Sequence, residues 1–135
     1  MVDMLKEFRM YDCKPMQTPM QERMMLDTTK TGDFTKVKMY QQIVRKLIYL
    51  VITRPDISFS VGMVSRYMQA HMMIVKRILR YIKGTLEYGL LYSNDKVSPS
   101  LFCDADWAGD KETRRSTSGY CCSLGSGVLS WLSKK

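Results

Sequence analysis

The chain has 135 residues, 45% of them hydrophobic and 25% charged, enough to bury the core of one modest domain and too apolar to be compositionally disordered. Its formal net charge is +8, and its four cysteines show no CxxC spacing, so neither a zinc site nor a disulfide scaffold is indicated and a reducing compartment is the plain reading. The longest apolar run, LIYLVI, is far short of the ~20 residues a bilayer crossing needs, and the start MVDMLKEFRM lacks the apolar core of a signal peptide, so a soluble chain with no membrane partner is expected.

Residues 1–37 contain Pro15 and Pro19 among polar residues and methionines, with no sustained period, and are expected to form an irregular arm. From Lys38 to Arg54, Ile43, Val44, Leu47, Ile48 and Val51 fall at helical spacing and predict an amphipathic helix. Pro55 then marks a boundary, because the residue before a proline avoids the α region while the proline suits the first turn of a new helix. Ile57, Val61, Val64 and Met68 stripe a second helix; Ile74, Val75, Ile78, Leu79 and Ile82 stripe a third, with Gly84 placed as its C-terminal cap. No Gly, Pro or turn cluster interrupts SRYMQAHMMIVKR, so the two are expected to fuse into one long helix or tight kink over residues 56–83.

Beyond Gly84 the period changes to two. Leu101, Cys103, Ala105 and Trp107 alternate with Phe102, Asp104 and Asp106, which predicts a strand whose first set faces a core. SGYCCSLGSGVLSWL reads as a hairpin around Gly125-Ser126-Gly127, with Cys121 and Cys122 pointing to opposite faces. An arm, two or three helices, then a three-stranded antiparallel sheet argue an α+β fold.

Two constellations could carry chemistry. Asp104 and Asp106 share a strand face, their Cα atoms about 6–7 Å apart, and could contribute to one hard-cation site; a solvated strand end is the commoner use of such a pair. Residues 36–84 hold ten Lys or Arg against one carboxylate, Asp56, and within them Lys76, Arg77, Arg80 and Lys83 form a row that could track a phosphate backbone; a solvated helix face is the alternative. His71 is the only histidine and has no nucleophile constellation around it, and the twelve methionines read as arm residues or core filler.

YDCKPMQTPM, YQQIVRKLIYLVITRPDISFSVGMVSRYMQA, VKRILRYIKGTLEYGLLY, DADWAGDKETRRSTSGY and LGSGVLSWLSKK occur in this order. Together they resemble the Pol polyprotein of copia-type LTR retrotransposons over nearly the whole chain, most specifically in TRPDI, RYIKGT and DADWAGD. The resemblance implies a reverse transcriptase end over residues 1–37 (arm) and 38–92 (helical tail), joined to the incomplete, ribonuclease H-like sheet of residues 99–135. It also implies Asp104 as the first metal-binding aspartate, with Asp106 only a neighbour, and Mg2+ or Mn2+ as the cofactor of intact relatives, not held tightly here.

Departures from that pattern shape the expectation. The polymerase aspartates lie upstream in the family, and the glutamate-bearing helix of ribonuclease H follows Lys135. Arg45-Lys46 stands where relatives place Gly-Ser, a proline-containing linker is missing between Ala70 and His71, and Met72 replaces a tryptophan. The chain is therefore expected to be an inactive fragment of a Pol polyprotein whose intact relatives copy RNA into DNA and cleave the RNA of RNA–DNA hybrids. A basic nucleic-acid-binding protein using Lys76, Arg77, Arg80 and Lys83, or an expressed relic without function, are the alternatives. Implied partners are RNA–DNA hybrid, other nucleic acid or Pol products of intact elements, in cytoplasm or nucleus.

Overall fold

The computed structural model describes residues 1–21, 34–66, 72–94, 97–109 and 114–135. Four helices, α1 (Val2–Glu7), α2 (Phe34–Leu50), α3 (Ser58–Arg66) and α4 (Met72–Gly84), precede three strands, β1 (Pro99–Ala105), β2 (Ser118–Leu124) and β3 (Gly127–Lys134). This is an α+β fold with an open antiparallel sheet in the order β1-β2-β3.

Helical periodicity builds the core. Ile43, Val44 and Leu47 of α2, Val61 and Val64 of α3, and Ile74, Val75, Ile78, Leu79 and Ile82 of α4 are all buried in one cluster. Tyr40 joins them, its hydroxyl donating to the Val64 carbonyl at 2.6 Å and so tying α2 to α3. The arm contributes too, against expectation. Six residues are too few for a free-standing helix, but α1 buries Met4 and Leu5 in this core. Lys46 then pairs with Glu7 and lies 5.7 Å from the centroid of the Phe8 ring. Arg45 and Lys46 thus sit on the exposed side of α2, which itself starts at Phe34, ahead of the expected Lys38, and their charge does not disturb the packed face.

Of the two forms expected over residues 56–83, a continuous helix or a tight kink, the continuous helix is not formed. Pro55 opens a short 3-10 turn, Pro55–Ile57, that leads into α3. The Tyr81 hydroxyl donates to Asp56 Oδ2 at 2.9 Å across 25 positions, a span that a continuous helix would stretch to about 37 Å. The chain therefore reverses between α3 and α4; residues 67–71, on which the expected fusion and His71 fall, lie outside the described residues.

The sheet meets the helices through β3. A Cβ added at Gly62 of α3 would stand 3.6 Å from the Ser133 carbonyl oxygen, so the α3 backbone lies beside β3. Trp131, Ser133 and Lys135 are half-buried while Ser130, Leu132 and Lys134 are exposed, which turns the first set towards the helical layer. The hairpin closes through Gly125, at φ 59, and Ser126; the Tyr92 ring packs where a side chain on Gly127 would stand, and its hydroxyl donates to the Val128 carbonyl at 2.9 Å.

Strand register corrects the expected core face of β1. Leu101 and Cys103 pair with Cys122 and Tyr120, which pair with Ser130 and Leu132, all on the side turned away from the helices. The alternation is real, but Leu101 and Cys103 are exposed and Trp107, beyond the strand end, is 87% exposed. Among the described residues every buried apolar side chain belongs to the helices or to the 3-10 turn.

Candidate metal and nucleic-acid site

Asp104 is the last but one residue of β1, paired with Gly119 of β2. Its side chain is exposed, and Oδ1 accepts the N–H of Ala105 at 2.9 Å. It lines a shallow cleft with Cys103, Ser116, Tyr120, Lys134 and Lys135. Alternation along the strand suggests that Asp106 should join it; hydrogen bonding shows why it does not. Asp106 Oδ1 accepts the N–H of Thr117 at 2.6 Å and that of Gly109 at 3.4 Å, while the Asp106 N–H donates to the Thr117 carbonyl at 3.0 Å. This carboxylate ties Gly109 to Thr117.

The described residues of DADWAGD can therefore be read position by position. Asp104 is exposed, Asp106 ties the ends of the turn together, and Ala108 adopts φ 51, a left-handed conformation that costs a non-glycine residue about 1–2 kcal/mol. Gly109 is needed because a Cβ there would collide with the Asp106 carboxylate. Across the loop the Ala108 N–H donates to Ser116 Oγ at 3.1 Å. Trp107 projects from this framework into solvent, with the Arg114 guanidinium 5.7 Å from its ring centroid.

The donor set does not fit a divalent cation on its own. Among the described residues no three His, Cys, Asp or Glu side chains come together, and a hard cation that resists dehydration is held poorly by one carboxylate.

The four residues of the basic row lie along α4, and the arm lies on them. Arg77 donates to Thr18 Oγ1 at 2.8 Å, Arg80 Nε to the Lys14 carbonyl at 2.6 Å, and the Lys83 ammonium sits 4.3 Å from the Tyr11 ring centroid. The Met16 N–H returns a bond to the Arg80 carbonyl at 3.2 Å. Lys76 remains exposed. The spacing that suggested a phosphate track thus also forms a latch for residues 11–18.

The chain is 40% identical over 139 residues to the retrovirus-related Pol polyprotein from transposon RE1 of Arabidopsis thaliana, a match taking in 99% of this chain and 10% of that protein. It is 42% identical over 131 residues to the uncharacterized mitochondrial protein AtMg00810 of the same plant, covering 93% of this chain and 54% of that one. The chain belongs to the retrovirus-related Pol polyproteins of transposons. This Pol-family chain thus spans about half the length of the mitochondrial relative and a tenth of the transposon polyprotein. A third relative, secreted RxLR effector protein 161 of Plasmopara viticola, is 43% identical over 102 residues, 71% of this chain and 72% of its own length. No protein-family model matches, and no solved structure matches.

Two segments that carry the family resemblance, TRPDI and RYIKGT, meet in a cluster that composition and periodicity did not suggest. Arg54 is 1% exposed. Its Nε donates to Asp56 Oδ1 at 2.9 Å and its Nη2 to Asp56 Oδ2 at 2.7 Å; Nη1 reaches the Thr85 carbonyl at 2.9 Å and Nη2 also reaches Thr85 Oγ1 at 2.7 Å. Tyr81 and Tyr88 flank the guanidinium, their ring centroids 5.8 and 5.6 Å away. Burial opposes the charge on Asp56, but hydrogen bonds from Arg54 and Tyr81 and the charge of Arg54 outweigh it and hold the carboxyl below its ordinary range. Burial and the bond to Asp56 raise the Tyr81 hydroxyl. This satisfied network joins the 3-10 turn to the end of α4, so the Pol-family chain keeps these residues for architecture. An arginine just before a proline, with an aspartate just after it, was the available signal.

Proposed function

We propose that the chain is the part of a copia-type Pol polyprotein that joins the end of a reverse transcriptase to the first strands of ribonuclease H, and that Asp104 is a metal-binding carboxylate of the hybrid-cleaving site. The reading is supported chiefly by the role split within DADWAGD: Asp106 is committed to backbone N–H groups, whereas Asp104 is exposed at a strand end. Hydrolysis of an RNA strand by paired divalent ions needs several carboxylates, because both the attacking and leaving oxygens must be stabilised. Asp104 supplies one, so cleavage requires carboxylates additional to those described, and no catalytic step is assigned to this chain alone. The α4 row does not favour a separate nucleic-acid-binding function, since the arm engages Arg77, Arg80 and Lys83.

The test is a Mn2+ titration of the full chain followed by paramagnetic broadening of amide signals, with hybrid binding measured in parallel. Broadening should begin at Ala105 and Gly119, require millimolar metal, and vanish in Asp104→Asn. Broadening that is uniform, or survives that substitution, would remove Asp104 from the site.

A further inference from the structure

We propose that Trp107 and Arg114 form a stacking platform for an unpaired base, so that this pair takes a single-stranded segment of nucleic acid beside Asp104. The proposal deepens the function proposed above and rests on it for the choice of polymer.

The starting observation is an indole held in water. Trp107 is 87% exposed, yet the described residues around it are tied together. Asp106 bonds two backbone N–H groups, Ser116 Oγ accepts a third, and both Ala108 and Arg114 are held at left-handed φ values of 51 and 53. Strained non-glycine backbone that persists within a braced loop is a pointer to a site. The strain sets the positions flanking the indole and the guanidinium above it, and the two come within 5.7 Å.

Chemistry selects the occupant. An exposed aromatic ring beside arginine binds any base through its π-face, with a cation adding to the attraction. Base pairs inside a duplex already have both faces covered, so only an unpaired or terminal base can use the platform. Surroundings match the polymer: Arg115 is exposed next to Arg114, and Lys134 and Lys135 line the cleft that reaches Asp104. Cations in that arrangement neutralise phosphates without reading sequence. The platform would hold a strand running off the end of a hybrid, which places the paired portion towards Asp104.

The experiment uses the full chain and labelled oligonucleotides, with binding read by fluorescence anisotropy. The probes are an oligothymidylate of about 12 nucleotides, an abasic strand of equal length, and a blunt RNA–DNA hybrid. Trp107→Ala should weaken oligothymidylate binding about tenfold, Trp107→Phe less, and Arg114→Ala by an intermediate factor, while the abasic strand binds wild type and Trp107→Ala alike. Thermal midpoints should not move, because the ring is exposed. The inference is overturned if Trp107→Ala binds oligothymidylate as wild type does, or loses the same factor on the abasic strand. Hybrid binding with no dependence on Trp107 for oligothymidylate would sink the platform and leave the proposed function standing. Trp107-dependent binding of oligothymidylate with no hybrid binding and no Mn2+ response at Asp104 would do the reverse.

Discussion

Arg54 and Asp56 face each other across a single proline, joined by two parallel hydrogen bonds of 2.9 and 2.7 Å, with the guanidinium sealed from solvent by Tyr81, Tyr88 and Thr85. The pair sits where the chain enters α3 and where it leaves α4, so it fixes the reversal that the two helices require. Removing Asp56 strands a buried guanidinium and should lower stability by about 3–5 kcal/mol, measured by urea unfolding; Arg54→Ala leaves a partly exposed carboxylate still bonded to Tyr81 and should leave a smaller charge penalty. Changing both at once, to Met and Asn, should cost clearly less than the sum of the two single losses. Strict additivity would show that the bonds carry no coupling.

Asp56 and Tyr40 set the pH dependence at opposite ends. Asp56 is held below its ordinary range by its partners, so its contribution is fully present above the unfolded carboxyl value of about 4 and is lost as pH falls through the folded value. Tyr40 works at the other end. Burial pushes its hydroxyl up to about 12, so its contribution is complete below the unfolded value of about 10 and disappears as pH rises from there towards 12. Thermal midpoints followed across pH should fall at both extremes. Tyr40→Phe should flatten the alkaline fall, and Asp56→Asn the acid one.

Helical stripes were legible because burial repeats along them: Ile43, Val44, Leu47, Ile78, Leu79 and Ile82 are where spacing placed them. The hairpin was legible from Gly125 for a related reason, since only a tight turn calls for glycine there. Periodicity failed where a tertiary partner decides. Nothing in α1's own six residues announces a helix, because its support comes from burying Met4 and Leu5 in a core built by helices far along the chain. The reversal between α3 and α4 was hidden because no local breaker marks it; the pairing of Asp56 with Tyr81 enforces it from a distance. For β1 the alternation was read correctly and its direction wrongly, since two-residue periodicity says that faces differ and not which one is covered.

The candidate site separates two aspartates that sequence spacing treats alike. Asp106→Ala removes the acceptor for the Thr117 and Gly109 N–H groups and should cost about 1–2 kcal/mol. It should also speed hydrogen exchange at Thr117. Asp104→Asn touches only the exposed bond to Ala105 and should leave stability within about 0.5 kcal/mol of wild type. Equal losses from the two substitutions would mean that Asp104 is also a structural residue and would weaken its assignment to metal.

On α4, the position of the arm makes a prediction that runs against a simple phosphate track. Arg77 and Arg80 hold Thr18 and Lys14 through one hydrogen bond each, and charged donors strengthen such bonds while solvent exposure moderates them. Changing both to alanine should lower stability by about 1–2 kcal/mol and speed proteolysis within residues 11–18. Lys76→Ala should do neither, because Lys76 is exposed away from those contacts. Limited proteolysis and urea unfolding of the three chains decide the matter: if the double variant is as stable and as resistant as wild type, the arm is not latched by these cations, and the row is again available to polyanions.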